Sequence, residues 1–440
     1  MSGPDTIFAL ASGSLPAGIA VLRISGTKCS DILAKLVEKE LKPRVFSYCN
    51  IIDPTNNSVI DKCLVVYFPG PKSFTGEDCL EFHLHGSRAI VKLICSRLVA
   101  IENVRFAEAG EFTRRAFENG NLDLSQVEGL GDLLQADTET QRVQALNRSL
   151  GGFSDVLVDW RNILIEALVL VEAELDFSDE SDVGFFENFV VNDKISSLIS
   201  SIEDKISGFE YGRIVRDGFR VGIAGLPNVG KSSIINGLAK SNISIVTDEP
   251  GTTRDIIECS IEIDGHLVVL FDSAGIRSSS NKVEMIGIER SLSLFDTCDL
   301  MLWVSAPDIA NSSFVPDSKV PILHVGNKLD IKSTSGTSIN ISSKAGDYSQ
   351  LITAILAKIA ENSTVKSPVI ISHEKDLVAL SNASKSLNRA IALLQGSQNS
   401  NLELVSEELR SACYALERLL GKVDVDDILD EVFSGFCIGK

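Results

Sequence analysis

Several features that would assign a protein to a membrane or to an oxidising compartment are missing from this sequence. No apolar run is long enough to cross a bilayer. The N-terminus carries an early aspartate, Asp5, and no basic segment ahead of its apolar residues, so we expect no secretion signal. The 9 cysteines include no Cys-x-x-Cys pair. They are therefore predicted to be reduced thiols in a cytoplasmic protein.

A net basic charge is lacking as well. The formal net charge is −19 over 440 residues. Residues 119–217 hold 7 basic and 20 acidic side chains, whereas residues 1–118 hold 14 basic and 13 acidic ones. Because affinity for nucleic acid depends on cations that replace counterions, this chain is expected to bind RNA weakly by itself. Contact with RNA would need the near-neutral N-terminal region or a basic partner.

The C-terminal tail has a cysteine four residues from its end but lacks the rest of a prenylation box. Such a box favours aliphatic residues after the cysteine and Ser, Met, Gln, Ala, Leu or Phe in the last position. The tail instead reads Cys437-Ile438-Gly439-Lys440. The preceding VDVDDILDEVF is acidic, and an anionic membrane surface would repel it. We therefore expect neither a lipid anchor nor a membrane partner.

The N-terminal region has the pattern of a compact α+β domain. Runs at 18–26, 63–70 and 79–86 are rich in β-forming residues. Helix-like stretches at 31–41 and 89–100 separate them. Strands and helices are therefore predicted to share one sheet-based domain.

The remainder of the chain changes pattern twice. Long helices are predicted from 119 onwards, and strands alternate with helices between 219 and 366, as in a parallel α/β sheet. Two further amphipathic helices are predicted at about 373–395 and 401–421. A helical region on each side of an α/β unit predicts that the unit is inserted into one helical domain. The predicted domains are 1–118 (α+β), 119–217 (helical, first part), 218–366 (α/β) and 367–440 (helical, second part, with the C-terminal tail).

A phosphate-binding loop follows a predicted strand. In FRVGIAGLPNVGKSS the spacing is Gly225-x-x-x-x-Gly230-Lys231-Ser232, and a helix opens there. The glycines let backbone N–H groups point at phosphate oxygens, Lys231 neutralises charge on the β- and γ-phosphates, and the Ser232 hydroxyl binds Mg²⁺. The residues predicted to line the phosphates are Asn228, Val229, Gly230, Lys231, Ser232 and Ser233.

Two further motifs follow in the order expected of a nucleotide hydrolase. Asp272-x-x-Gly275 ends a predicted strand, so its carboxylate is expected to reach Mg²⁺ through water and the Gly275 N–H to contact the γ-phosphate. The preceding GTTRD supplies Thr252 and Thr253, and Thr253 is predicted to be the second Mg²⁺ hydroxyl ligand. Their order and spacing predict a P-loop hydrolase.

The base-specificity motif indicates guanine. Asn327-Lys328-Leu329-Asp330 ends a later predicted strand. The Asp330 carboxylate can accept hydrogen bonds from N1–H and N2–H₂ of guanine, and adenine has no matching donor pair. GTP, with Mg²⁺, is therefore the predicted substrate. The loop predicted to close over the base contains Ser342, Ser343 and Lys344.

The glutamine that orients water in Ras-like enzymes is missing, because the residue after Asp-x-x-Gly is Ile276. Isoleucine cannot orient water, so another group is required. The Asn228 amide oxygen is a candidate ligand for a monovalent cation beside the phosphates, where the cation would supply positive charge. Alternatively, Asn228 only stabilises the loop turn. The loop sequence leaves both interpretations open.

Five segments together resemble one family. GLPNVGKSS, DEPGTTRD, VEMIGIER, FTGED (74–78) and FCIGK (436–440) are similar to the MnmE (TrmE) tRNA-modification GTPases over essentially the whole chain. The resemblance implies a multidomain fold class. Its parts are an α+β N-terminal folate-binding and dimerisation domain, an all-α helical domain built from two chain segments, and an inserted P-loop α/β (Ras-like) G domain.

For GTP hydrolysis, the resemblance implies K⁺ stimulation and G domains that meet face to face in a homodimer. It makes Glu284, within VEMIGIER, the catalytic carboxylate that positions water; the alternative is a solvated helix residue. One departure from the family pattern is Ser273 in Asp-Ser-Ala-Gly, which leaves the Asp and Gly roles intact. The implied potassium-loop residues are Asn228, Thr247, Glu249 and Thr252.

The resemblance also implies a folate site that the C-terminal tail completes. Its ligand would be 5-formyl- or 5,10-methylene-tetrahydrofolate, and Cys437 would face the one-carbon unit as a possible nucleophile. The implied binding residues are Arg23, Glu81, Asn121 and Lys440, although Asn121 stands where relatives carry a basic residue.

Each assignment in this implied site has a simpler alternative. Arg23 and Glu81 are then solvent-facing strand residues, Lys440 belongs to a frayed terminus, and Cys437 is a buried apolar thiol. His83-x-His85 places two imidazoles on one strand face, but a metal site would need a third ligand, and no such ligand is evident.

The family function implied is modification of the wobble uridine of tRNA at C5, with an aminomethyl or carboxymethylaminomethyl group. The partner would be a flavoprotein of the MnmG (GidA) type, in a heterotetramer, which carries the FAD and most of the tRNA contact. One alternative is a ribosome-assembly GTPase, which leaves FTGED and FCIGK unexplained. The other is a regulatory switch in stress or acid response, with vestigial folate binding.

Overall fold

The computed structural model describes residues 5–177, 188–240, 257–272, 297–309, 319–362, 371–395, 401–423, 429 and 432–440. Contacts between Cα atoms divide the chain into two compact units. Unit 1 comprises 1–131, 149–157 and 417–440, and unit 2 comprises 132–148 and 158–416. The predicted site residues outside the described residues are Thr247, Glu249, Thr252, Thr253, Gly275 and Glu284.

Unit 1 is built on a six-stranded sheet with two helices on one face. Its elements are β1 (Thr6–Leu10), β2 (Ala17–Ser25), α1 (Cys29–Leu36), β3 (Ser47–Ile52), β4 (Val59–Phe68), β5 (Cys79–Gly86), α2 (Arg88–Val99) and β6 (Val104–Phe106). The strand order is β3-β4-β5-β2-β1-β6, and only the β1–β6 pair is parallel. The three predicted strands are confirmed as β2, β4 and β5.

The two faces of this sheet are packed differently: one packs on α1 and α2, whereas on the other Ile7 of β1 packs with Phe112. In β4, Cys63 and Val65 are buried among residues of α1 and α2, whereas Leu64 between them is exposed. This alternation follows from the two-residue period of a strand. The helix predicted at 31–41 is wrong at its C-terminal end, because Val37 is extended and pairs with Ile51.

The C-terminal tail folds back onto unit 1. Phe433 and Phe436 pack against Leu124 and Val127, which lie in α4 (Leu124–Gln135) just after α3 (Glu111–Glu118). Ile438 forms an antiparallel bridge with Ala109. The terminus is therefore docked, and the frayed alternative is wrong.

Unit 2 contains the predicted α/β sheet. Its elements are β7 (Phe219–Ala224), α9 (Lys231–Lys240), β8 (Ile257–Ile263), β9 (His266–Asp272), β10 (Leu300–Ser305), β11 (Ile322–Gly326), β12 (Ile339–Asn340) and α10 (Ser349–Glu361). The strand order is β12-β11-β10-β7-β9-β8, and β8 alone is antiparallel to its neighbour. Apolar residues of α9 and α10 pack on the sheet. Parallel strands place their carboxyl ends at one edge, where binding loops of such sheets lie.

Helices from the chain segments before and after this sheet form the rest of unit 2. They are α5 (Glu139–Ser149), α6 (Gly152–Phe177, shared with unit 1), α7 (Asn188–Ser207), α8 (Phe209–Asp217), α11 (Glu374–Leu394) and α12 (Leu402–Leu419). The α7 helix packs along α11. On α5, Arg148 pairs with Asp376 of α11, and Gln141 donates to the Arg216 carbonyl of α8. The predicted fold class is therefore confirmed, including a helical part built from two chain segments.

The two helices predicted after the sheet are confirmed as α11 and α12. Among the described residues, no helix has both the length and the apolarity needed to cross a membrane.

Candidate functional site

The loop between β7 and α9 requires glycine at two positions. Gly225 has φ +144°, and a Cβ there would lie 2.3 Å from the Val304 carbonyl oxygen. Gly230 has φ +99°, and its Cβ would lie 2.2 Å from Asn327 Nδ2. Neither the backbone conformation nor the space admits a larger side chain. The sequence spacing therefore corresponds to a loop that wraps closely against the ends of β10 and β11.

Lys231 is the first residue of α9, and its side chain turns towards the loop. The residue is 9% exposed, and its Nζ donates to the carbonyl oxygens of Gly225 at 2.9 Å and Leu226 at 3.1 Å. An ammonium held beside a helix N-terminus is suited to a phosphate group. This placement agrees with the predicted role of Lys231.

The hydroxyl and the carboxylate predicted to face magnesium lie together. Ile223 of β7 is paired in register with Asp272 of β9, so the end of β9 adjoins the loop. Ser232 Oγ donates to Asp272 Oδ2 at 3.1 Å. Hydroxyl and carboxylate oxygens are hard ligands of the kind Mg²⁺ binds, so these two residues fit this metal.

A cavity of about 300 Å³ adjoins this loop. Asn327 is 2% exposed and connects two loops: its Nδ2 donates to the Val229 carbonyl at 2.9 Å, and its Oδ1 accepts from Ser343 N and Oγ. Its amide therefore fixes the phosphate loop relative to the base loop. The cavity is lined by Gly230, Ser233, Asn327, Lys328, Asp330, Ile331, Ser343 and Lys344.

Asp330 presents an ionised carboxylate to this cavity. Ser342 Oγ donates to Asp330 Oδ1 at 2.7 Å. That hydrogen bond, together with the positive charges of Lys344 and Lys328, holds the pKa of Asp330 below its ordinary value. An ionised carboxylate is an acceptor only, which suits the two donors of guanine.

Asn228 adopts the left-handed conformation, with φ +64°. Asparagine tolerates this conformation better than most residues, which favours the turn-stabilising interpretation, and the role of Asn228 as a cation ligand stays a prediction. The other predicted potassium ligands lie outside the described residues. Within the described parts of the chain, no group of three or more His, Cys, Asp and Glu side chains could hold a metal ion.

A second group of charged residues forms in unit 1. Arg23 on β2 and Glu81 on β5 are cross-strand partners, and Arg23 Nε donates to Glu81 Oε1 at 2.9 Å. Arg23 Nη1 also donates to the Gly439 carbonyl at 3.4 Å. The guanidinium lies over the rings of Phe74, at 5.5 Å, and Phe112, at 5.9 Å. Strand residues and the C-terminal tail therefore meet at one place, and the surface-residue interpretation of Arg23 is wrong.

The tail presents an amine, on Lys440, and a thiol, on Cys437, at this place. Burial, followed by the positive charge of Arg23, lowers the pKa of Lys440, although Cys437 and Glu81 oppose this change. Lys440 N donates to the Cys437 carbonyl at 3.2 Å, which closes a turn. Cys437 itself is exposed, so the buried-thiol alternative is wrong.

Asn121 lies next to this site, but its amide nitrogen contacts the FTGED loop. Asn121 Nδ2 donates to the carbonyls of Ser73 at 2.9 Å and Phe74 at 3.2 Å. Its predicted contact with folate stays a prediction.

FTGED itself is mainly structural. Glu77 pairs with the 4%-exposed side chain of Arg115, and Asp78 accepts hydrogen bonds from Tyr67 Oη and Gly70 N. Phe74 is the member of the motif that lies beside Arg23.

The two histidines of β5 are each hydrogen-bonded to a carboxylate. His83 Nε2 lies 3.3 Å from Glu81 Oε2, and His85 Nδ1 lies 2.8 Å from Asp61 Oδ1. A shared metal is therefore not indicated. His83 is a second partner of Glu81 that was not predicted, although the two-residue spacing on a strand places both on one face. The positions of Phe74 and Phe112 beside Arg23 were not predicted either.

Two family models cover most of the chain. The model of the MnmE helical domain matches residues 124–437, and the model of the GTP-binding protein TrmE N-terminus matches residues 6–121. The tRNA modification GTPase MnmE of Chelativorans sp. is 44% identical, covering 99% of this chain and 98% of that protein. The protein of the same name from Rhizobium meliloti is 41% identical over 100% of both chains, and that from Rhodopseudomonas palustris is 42% identical over 99% of both. The chain therefore belongs to the MnmE family of tRNA modification GTPases and is a GTP hydrolase.

Proposed function

We propose that this protein is a K⁺-stimulated GTPase that acts with an FAD-dependent partner of the MnmG type. Together they install an aminomethyl or carboxymethylaminomethyl group on C5 of the wobble uridine of tRNA, with the carbon taken from a tetrahydrofolate. The observation that carries this proposal is the meeting of Arg23, Glu81 and the 437–440 tail, in a chain that also has a guanine nucleotide site. A GTPase without one-carbon chemistry has no evident need for the first site.

The proposed steps at the nucleotide site follow from the residues that line it. Lys231 exchanges its two loop carbonyls for phosphate oxygens, and Asp330 binds the guanine edge. Ser232 and Asp272 would hold Mg²⁺. When bound, Mg²⁺ neutralises charge on the β- and γ-phosphates. Glu284 would position the attacking water, as the family resemblance implies.

At the folate site, Glu81 is assigned to the amino edge of the pterin, which offers paired donors. Arg23 and Lys440 are assigned to acceptors or to the anionic glutamyl tail. Cys437, whose thiol is exposed, is assigned the role of nucleophile towards the one-carbon unit. FAD is assigned to the partner. Much of the tRNA contact is assigned to the partner as well, because this chain is acidic.

Exposed apolar side chains on β3 and β4 of the unit 1 sheet support the proposal of a homodimer. Tyr48, 60% exposed, and Leu64, 43% exposed, are cross-strand partners, and Leu64 is in turn paired with His83. Adjacent exposed apolar residues favour association with another surface. Leu64→Lys is expected to shift the sedimenting species towards the monomer, and an unchanged species would count against this face.

We also propose that GTP hydrolysis drives association of the G domains and a conformational change, and the contacts of one hairpin support the second part. The β8–β9 hairpin ends at Asp272 beside Ser232, and Thr140 Oγ1 of α5 donates to the Gly265 carbonyl in its turn at 2.6 Å. A hairpin held at both ends can transmit a displacement at the nucleotide to the helical part.

The decisive test of the whole proposal is mass spectrometry of tRNA nucleosides from cells that lack the gene. We expect loss of the C5-aminomethyl-type uridines, recovery with the wild-type gene, and no recovery with a Lys231→Ala gene. An unchanged nucleoside profile with altered ribosome sedimentation would instead support the ribosome-assembly alternative. Unchanged profiles of both kinds would favour the regulatory switch.

The catalytic assignments have a separate test on the purified protein. Glu284→Ala is expected to retain GTP binding and to lose turnover, and replacement of K⁺ by Na⁺ is expected to slow the wild-type enzyme. Unchanged turnover in the variant would reject the role of Glu284. Equal rates in the two salts would reject potassium stimulation.

A further inference from the structure

Phe74 combines exposure with a rigid support. Phe74 is 37% exposed and lies in the loop between β4 and β5. Asn121 Nδ2 holds the carbonyls of Ser73 and Phe74, and Asn119 Nδ2 holds the carbonyl of Thr75 at 2.7 Å. Side-chain amides therefore fix three successive carbonyls of this loop. A phenyl ring that stays exposed contributes little to the stability of the fold through burial. The fixed position of this ring therefore needs another explanation.

The buried side of the loop is held as firmly. Thr75 is fully buried, and its hydroxyl lies 2.7 Å from Ser25 Oγ. Ser25 Oγ also donates to Glu77 Oε2 at 2.7 Å, and Glu77 pairs with Arg115. The loop can therefore change little when a ligand arrives. A preorganised aromatic side chain costs less conformational entropy on binding than a mobile one.

Phe74 is also next to the charged groups of the folate site. The Arg23 guanidinium carbon lies 5.5 Å from the centre of the Phe74 ring, and Arg23 Nε bonds Glu81 Oε1 at 2.9 Å. The Arg23 side chain therefore adjoins both the Glu81 carboxylate and the phenyl ring. The amino edge of a pterin belongs to a flat bicyclic head, which can pack against an aromatic face while its edge bonds the carboxylate.

From this geometry we propose that Phe74 is a binding residue that packs against the pterin head of a reduced folate, and that Asn121 positions it. This inference rests on the proposed function and deepens it by naming the apolar contact of the site. It also accounts for Asn121: the amide acts on the loop carbonyls, and binding does not require a basic side chain at that position.

The test is a calorimetric titration of the full-length protein with 5-formyltetrahydrofolate. Phe74→Leu is expected to weaken binding about tenfold, and Phe74→Trp is expected to keep the affinity within about threefold, because both keep an apolar side chain and only the second keeps an aromatic face. Asn121→Ala is expected to weaken binding by about threefold through loss of positioning. The matched control is Phe106→Leu, since Phe106 is 56% exposed on β6 and lies outside the site.

Three results would overturn the inference in distinguishable ways. If Arg23→Ala loses binding while Phe74→Leu behaves like Phe106→Leu, Phe74 is not a binding residue, and the proposed folate use stands. If Phe74→Trp is as weak as Phe74→Leu, ring packing is not the contact. If wild-type protein does not bind the folate at all, the proposed function fails together with the inference. Asn121→Asp supplies a positioning readout, because it points a carboxylate oxygen at two carbonyl oxygens of the loop and should weaken binding at least as much as Asn121→Ala.

Discussion

The two sheets of this protein build their sites in different ways. In unit 2, the carboxyl ends of parallel strands meet at one edge of the sheet, so Lys231, Asp272 and Asn327 each come from a short motif at the end of a strand. In unit 1, the site lies where two antiparallel neighbours carry Arg23 and Glu81 in register and the chain terminus arrives beside them. Parallel topology gathers strand ends, whereas an antiparallel sheet relies on register and on long-range docking.

This difference has an energetic counterpart. The nucleotide loop depends on backbone conformations that glycine allows locally, at Gly225 and Gly230. The unit 1 site depends on a tail that reaches Arg23 from 416 residues away along the chain. A local loop is broken by changes within its own motif, whereas a docked tail is broken by any change that prevents docking. Variants in the nucleotide loop and in the tail should therefore fail in different ways.

The largest expected effect concerns the nucleotide site of unit 2. Lys231→Ala removes the ammonium that faces the phosphates, so GTP turnover is expected to fall on the order of 100-fold. Folate affinity is expected to stay within about twofold, because no residue of the unit 1 site is changed. Phosphate release and calorimetry measure the two quantities. Lys240→Ala, at the exposed end of the same helix, is the matched control, and a similar loss in that variant would contradict the role of Lys231.

The preference for guanine over xanthine should reverse when the Asp330 carboxylate of the same site is replaced by an amide. Asp330→Asn replaces a carboxylate acceptor with an amide donor, so affinity for GTP is expected to fall on the order of 100-fold. Affinity for xanthosine triphosphate should rise, since xanthine has a carbonyl oxygen where guanine has its exocyclic amine. Competition binding with both nucleotides measures the change. Loss of GTP binding without any gain for the xanthine nucleotide would place Asp330 in a structural role.

The unit 1 site should be sensitive to backbone strain at a tail residue that carries no charge of its own. Gly439 has φ +102°, and a Cβ there would lie 2.4 Å from the Leu10 carbonyl oxygen. Gly439→Ala is therefore expected to undock the tail and to weaken folate binding about tenfold, with GTP turnover unchanged. At Gly435 the nearest atom to an added Cβ is 3.6 Å away, so Gly435→Ala is the matched control. Equal affinities in the two variants would show that tail docking is not required.

The smallest expected effect on activity concerns the helical part. Burial raises the pKa of Asp376, but the charge and hydrogen bonds of Arg148 outweigh this and hold it below the ordinary value. A carboxylate with a depressed pKa contributes stability above its unfolded pKa and loses that contribution as the pH falls through the folded value. Asp376→Asn is therefore expected to cost about 3 kcal/mol at neutral pH, since it leaves Arg148 buried without its charge partner.

Denaturant titrations test this pair at two pH values. The difference between wild type and Asp376→Asn should be largest near pH 7 and should shrink at about pH 3. Asp204→Asn, on the exposed surface of α7, is expected to show no such difference. A gap that stays constant with pH would mean that packing, rather than charge, sets the effect.

Much of unit 2 could be predicted from sequence because its chemistry is local. The spacing of Gly225, Gly230 and Lys231 specifies a backbone conformation within a few residues, and strand and helix patterns around it place the loop at a sheet edge. The same holds for Asn327 and Asp330. Helix ends were less predictable: the stretch at 31–41 has helical periodicity, but pairing of Val37 with Ile51 ends α1 at Leu36.

By itself, the sequence determined the fold class, the order of the motifs and the identity of the nucleotide loop, because each depends on periodicity or on contacts between near neighbours. The tertiary structure decided that Cys437 is exposed, that the tail reaches Arg23 through the Gly439 carbonyl, that Arg23 pairs with Glu81, and that Asn121 bonds the Phe74 loop. These facts depend on strand register and on hydrogen bonds between residues distant in sequence. Such contacts are set by packing of the whole unit, which no local pattern encodes.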